Sequence, residues 1–114
     1  MKILVCGGRD FNDMGFASTF LDGINAISPI EMVIYGGAPG ADMLGKFWAE
    51  RTGIHSARVE AQWQRYGKSA GPKRNAAMLL LKPDLVVAFP GGVGTADMVR
   101  RAKGASIPVR EATP

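Results

Sequence analysis

The sequence is poor in the residues that build disulfides, metal centres and imidazole catalysts. It contains one cysteine, Cys6, and one histidine, His55. A lone cysteine forms no internal disulfide, so the chain suits a reducing compartment and a cytoplasmic location is expected. Cys6 belongs to an apolar run and is expected to face the core, as free cysteines usually do. No group of His, Cys, Asp and Glu has metal-ligand spacing, so neither a metal nor another cofactor is expected. Long apolar runs are missing as well. The longest, Ala76 to Leu81, is far too short to cross a bilayer. Met1-Lys2 is followed by only four apolar residues before Gly7, fewer than a secretory signal requires, and no membrane partner is expected.

Glycine, in contrast, is plentiful, with 15 in 114 residues, and its placement carries the strongest signal. The apolar run Leu85-Val86-Val87-Ala88 leads into Phe89-Pro90-Gly91-Gly92-Val93-Gly94-Thr95-Ala96-Asp97. Here a strand ends, glycines turn the chain, and a helix begins. Backbone N–H groups at such a junction are free and favour an anion, and glycines let phosphate oxygens approach the backbone. The same order recurs where Val33-Ile34-Tyr35 meets Gly36-Gly37-Ala38-Pro39-Gly40-Ala41-Asp42, and where Ile3-Leu4-Val5-Cys6 meets Gly7-Gly8-Arg9-Asp10. Neither Gly-x-Gly-x-x-Gly nor Gly-Lys-Ser/Thr is present, so the dinucleotide fingerprint and the P-loop do not apply.

The coarse reading is strictly alternating. Strands are expected at Lys2–Cys6, Met32–Tyr35, 54–59, 85–89 and 107–109. Helices are expected at 15–27, 41–51, from Pro72 to Leu81, and from a Thr95 cap to Gly104. Phe16, Phe20, Ile24 and Ile27 share one face of the first helix, and Glu60 to Gly71 reads as an irregular loop with Trp63 and Tyr66. At 46% hydrophobic and 21% charged residues, this composition supports one domain over residues 1–114. The predicted fold is α/β, a Rossmann-like parallel sheet of about five strands with helices on both faces. Right-handed crossovers would bring all three glycine turns to one rim, where open α/β sheets bind ligands.

The candidate site follows from that convergence. The first turn contributes Gly7, Gly8 and Arg9; the second contributes Gly36, Gly37, Gly40 and Asp42. Pro90, Gly91, Gly92, Gly94 and Thr95 come from the third, with Arg74 as a charged clamp. The net charge of +4 suits an anionic ligand. Arg65, Lys68, Lys73 and Arg74 form a basic group without an acid among them, whereas Arg100, Arg101 and Lys103 read as a solvated helix face. Asp42 reads as a helix-start carboxylate or a ribose or acid–base contact, and Arg9 as an anion contact or a partner of Asp10. Trp63 and Tyr66 are candidates for stacking on a base, for covering the sheet edge or for a subunit interface. Trp48 reads as core or interface. His55, on an edge strand away from the rim, is not a catalytic candidate.

Pro90-Gly91-Gly92-Val93-Gly94-Thr95 resembles the PGGxGTxxE motif of the LOG (Lonely Guy) phosphoribohydrolases. Gly71-Pro72-Lys73-Arg74-Asn75-Ala76-Ala77-Met78 resembles their arginine-containing helix start. The full pattern is more similar to the YspA-type, cpYpsA-related group of the SLOG superfamily. Its GGRDF start, GGAxGAD turn, tryptophan-and-glycine loop, GPxRN helix start and FPGGxGTADM turn occur here in order. The resemblance implies the fold and superfamily, which spans hydrolases, nucleotide-signal sensors and DprA-type DNA-binding proteins. It also implies a homodimer.

In LOG proteins the motif's glutamate works with the arginine on the N-glycosidic bond. Met98 occupies that position here and transfers no proton. Asn75 stands where LOG proteins have lysine. Arg74 and Asp97 are thus the catalytic candidates, with Asp97 rotated about 100° from the glutamate position. The leading expectation is a binder of a nucleotide-derived small molecule, such as a nucleoside phosphate or ADP-ribose-like compound. The alternatives are a ribosyl-bond hydrolase and a single-stranded DNA binder.

Overall fold

The computed structural model describes residues Met1–Pro114. Strands β1 (Lys2–Cys6), β2 (Met32–Tyr35), β3 (His55–Arg58), β4 (Leu85–Ala88) and β5 (Val109–Glu111) form one sheet in the order β3-β2-β1-β4-β5. Every pairing is parallel. The four longer helices are α1 (Met14–Ile27), α2 (Ala41–Thr52), α4 (Ala70–Leu79) and α5 (Val93–Gly104). Between α2 and α4 lie β3, the short helix α3 (Trp63–Tyr66) and a 3-10 turn, Gly67–Ser69.

Alternation along the strands divides the core in two. Ile3, Val5, Val33, Leu85 and Val87 pack on the α1/α2 side, where Leu21, Ile24 and Trp48 meet them. Leu4, Cys6, Ile34, Val86 and Ala88 point to the other face, against Met78 of α4 and Met98, Val99 and Ala102 of α5. Strands buried on both faces are apolar throughout, as β1 and β4 are, while the edge strands β3 and β5 are largely exposed. This is the α/β parallel architecture expected. No helix is long and apolar enough to cross a membrane.

Several expectations change in detail. Ile27 is 84% exposed, and Ala17, Leu21 and Ile24 carry the buried stripe of α1 instead. The segment 60–71 is not an irregular loop, because α3 and the 3-10 turn lead straight into α4 at Ala70. Pro72 lies in the first turn of α4, where its missing N–H has no helical acceptor to lose. The helix ends at Leu79 because Leu80 and Leu81 donate only three residues back, to Ala77 and Met78. Helix α5 starts at Val93, two residues before the expected Thr95 cap, and no side chain caps it. β5 begins at Val109, after Pro108 has given its carbonyl to the Val86 N–H at 2.9 Å. Trp48 is fully buried and donates its indole N–H to Asp22 at 2.8 Å, so it offers no surface to a second subunit.

Candidate functional site

The chain runs from β1 outward to β3 on one side and returns to β4 on the other, so strand order reverses beside β1. The loops leaving β1 and β4 part at that point, as loops do at the ligand crevices of open α/β sheets. A cavity of about 940 Å³ opens there. Its walls are the β1–α1 turn (Gly7 to Phe11), the β4–α5 turn (Pro90 to Thr95), and the start of α4 with the α3 segment before it. Eleven of the fourteen residues picked from sequence line it: Gly7, Gly8 and Arg9; Asp42 and Arg74; Pro90, Gly91, Gly92 and Gly94; Thr95 and Asp97.

Gly36, Gly37 and Gly40 do not, and packing between loops accounts for them. A Cβ on Gly36 would lie 2.5 Å from Arg74 Nη1 and 2.9 Å from Asp42 Oδ2. One on Gly37 would lie 2.5 Å from Arg58 Nε. Gly40, at φ +82°, would drive a Cβ into the Gly8 and Arg9 carbonyls.

The three glycine turns differ in where their amides go. In the first, Gly8 N–H donates to the Pro90 carbonyl at 2.8 Å, which ties the first and third turns together. In the second, the turn closes on its own anion. Asp42 folds back to accept from the Ala38 N–H at 3.2 Å. The Ala41 N–H goes to the Gly8 carbonyl at 3.1 Å. The third turn has no such partner. The first α5 amide with an acceptor is Ala96, bonded to the Gly92 carbonyl at 3.0 Å. The N–H groups of Val93, Gly94 and Thr95 donate to nothing in the protein. A Cβ on Gly92 or Gly94 would meet no atom within 4 Å, so the surface above these amides is open.

On the cavity floor Arg74, half-buried, sits with the buried Asp42 and Cys6. Arg74 Nη1 donates to the Gly36 carbonyl at 2.8 Å, and its buried Nε has no acceptor. Burial pushes the Asp42 carboxyl above its ordinary pKa, against the opposing pull of the Ala38 bond, the Arg74 charge and the Gly36 bond. Burial, aided by the Asp42 charge, pushes the Cys6 thiol up to about 12, with Arg74 opposing. Cys6 is thus a protonated thiol at the cavity floor.

The α5 side carries a second polar group. Asn75 Nδ2 donates to Asp97 Oδ2 at 3.0 Å and to the Gly94 carbonyl at 3.2 Å, so α4 braces the first turn of α5. Arg101 Nε donates to Asp97 Oδ2 at 2.8 Å, and Arg100 Nη2 holds the other oxygen. Desolvation favours protonated Asp97, but the Asn75 and Arg101 bonds and both arginine charges outweigh it and hold the carboxyl below its ordinary value. Asp97 is therefore a carboxylate already committed to three partners. Met98, at the LOG-type glutamate position, is fully buried among the core residues under the sheet and does not line the cavity.

Sequence reading assigned no site role to Asn75 or Arg100. Arg100 is on the solvated face expected, with its side chain 73% exposed, and it also lines the cavity beside Asp97. The signal lay in the i, i+3 spacing of Asp97 and Arg100. Trp63 and Lys68 also line the wall.

The family profile described as YspA, cpYpsA-related SLOG matches residues 1–66. The Gene 61 protein of Mycobacterium phage D29 is 34% identical over 116 aligned residues, covering 95% of this chain and 93% of the phage protein. By both the profile match and the near full-length similarity, the chain belongs to the YspA, cpYpsA-related SLOG family.

Proposed function

We propose that the protein binds a nucleotide or nucleotide-derived phosphorylated small molecule, as a sensor or sequestering protein. The observation that carries this reading is the uncapped start of α5 in the cavity wall. The Val93, Gly94 and Thr95 amides have no acceptor, no side chain caps the helix, and the surface above them is open. Three free amides at the start of a twelve-residue helix favour a phosphate by hydrogen bonding and by the helix dipole. Arg9, Lys68 and Arg100 add positive charge around the same cavity. Arg74, in contrast, is bound to Gly36 and acts from below the ligand.

A second reading, hydrolysis of the ribosyl bond, is favoured by one observation. Asp42 is a carboxyl of raised proton affinity on the cavity wall, the property of a general acid. Asp97, an ion-paired carboxylate, does not have it.

The test is to incubate the purified protein with nucleoside monophosphates, ADP-ribose and cyclic ADP-ribose. Bound and free fractions are then separated by filtration and chromatographed after denaturation. Intact ligand recovered from the denatured protein supports the binder. Free base or ribose phosphate accumulating with time, and abolished by Asp42→Asn, establishes the hydrolase instead. Absence of any retained or altered ligand rejects both.

A further inference from the structure

The cavity wall carries an aromatic ring that nothing in the protein uses. Trp63 lines the cavity and is 50% exposed. Its indole N–H donates to no acceptor, in contrast with Trp48, whose N–H is held by Asp22. No aromatic ring and no cation covers its face. The other aromatic side chains nearby are committed. Phe11 stacks on Phe89 at 5.2 Å between centroids. Tyr66 is covered by Arg65 and Lys73, at 5.1 and 4.8 Å from its centroid.

What holds Trp63 is an edge contact. A Cβ at Gly71 would lie 3.2 Å from its Cη2, so the missing side chain lets the ring edge seat against the first turn of α4. A half-exposed indole with an open face forgoes apolar burial that a folded chain ordinarily takes. The free α5 amides line the same cavity, and Lys68 and Arg100 supply charge around it. The cavity, at about 940 Å³, is far larger than a lone phosphate needs.

We propose that Trp63 is the platform on which the base of the ligand stacks. The site then selects nucleoside phosphates over sugar phosphates of equal charge. This rests on the phosphate reading above, which it deepens by fixing the chemical class of the ligand. Stacking on a π-face tolerates different bases.

The experiment compares adenosine 5′-monophosphate, guanosine 5′-monophosphate and ribose 5-phosphate by calorimetry and by tryptophan fluorescence. Wild type is set beside Trp63→Leu, which keeps apolar bulk and removes the ring. Trp48 is buried, so quenching reports on Trp63, and the blue-shifted emission of Trp48 shows that the variant is folded. The nucleotides should bind about five- to a hundredfold more tightly than ribose 5-phosphate. They should quench Trp63 while ribose 5-phosphate does not, and Trp63→Leu should erase the difference. Equal affinities in wild type, or a preference that survives in Trp63→Leu, overturns the platform and leaves the phosphate reading standing. Binding of none of the three overturns both. Quenching by oligo(dT) alone, with no response to mononucleotides, overturns the proposal in favour of a strand-binding surface.

Discussion

Arg74 Nη1 donates to the Gly36 carbonyl oxygen at 2.8 Å, across a separation of 38 residues. The contact joins α4 to the β2–α2 turn beneath the cavity and fits only because Gly36 has no side chain. A Cβ there would lie 2.5 Å from the same nitrogen and 2.9 Å from Asp42 Oδ2. Gly36→Ala should therefore destabilise the protein by about 1–3 kcal/mol, the usual cost of forcing atoms into a packed site. In an Arg74→Ala background the added methyl gains room, so the second substitution should cost less than it does alone. Denaturant unfolding of the four proteins measures that coupling. Strict additivity would mean that the two residues do not share the space.

The free amides of α5 make a different prediction, because stability and binding should move in opposite directions. Val93 is 89% exposed at the first position of the helix, and nothing packed is lost by changing it. Val93→Asp places a carboxylate at the positive end of the helix dipole and should stabilise the fold by about 0.3–1 kcal/mol. The same carboxylate repels a bound phosphate, and nucleotide affinity should fall about tenfold or more. Val93→Asn lacks the charge and should bind within about twofold of wild type. Equal binding by all three proteins would remove α5 from the anion site.

Asp97 sets the sign of an acid limb. Its carboxyl is held below its ordinary value of 3.8, so it stabilises the fold above that unfolded value. That contribution is lost as pH falls through the lower folded value. Asp97→Asn should cost about 1–3 kcal/mol at pH 7, by loosening a buried hydrogen-bonded group. The loss should shrink below about pH 4, as the unfolded chain takes up a proton that the folded carboxylate still refuses. Asp42 acts with the opposite sign: its raised pKa gives stability present at low pH and lost as pH rises through the folded value. Asp42→Asn should therefore steepen the net acid limb, whereas Asp97→Asn should flatten it. A loss in Asp97→Asn that is the same at pH 3 and pH 7 would contradict the assignment.

The sheet was legible because one local signal repeats. Each apolar run ends at glycine and is followed by a helix, and β1 and β4 are apolar at successive positions as doubly buried strands must be. The rim of the cavity was legible for the same reason. What separated the three turns was not. Asp42 reads as a helix-start carboxylate, and only the folded chain turns it back onto the Ala38 amide, while the start of α5 is left without a cap. Arg100 stands on the solvated face expected of it, and only the folded chain shows that its pairing with Asp97 brings it to the cavity rim. The segment of Trp63 reads as a loop because four residues are too few for helical periodicity to register.

Cys6 offers a probe of the cavity floor that needs no ligand. It is the only cysteine, and its thiol is buried with a pKa pushed up to about 12. The thiolate is the reactive form, so at pH 8 native Cys6 should react with Ellman's reagent at least about a hundredfold more slowly than in guanidinium. One thiol per chain should appear on unfolding. The alkaline limb follows from the same shift. A raised pKa keeps its contribution to stability below the unfolded value, 9.0 for a model thiol, and loses it as pH rises toward the folded value. Wild type should therefore lose more stability than Cys6→Ala between pH 8 and pH 11, measured by urea unfolding. Gly36→Ala, by displacing Arg74 and Asp42 beside the thiol, should open access and accelerate native labelling. Fast labelling of the wild-type protein at pH 8 would show that the floor is open to solvent and that Cys6 is a reactive group rather than a packed one.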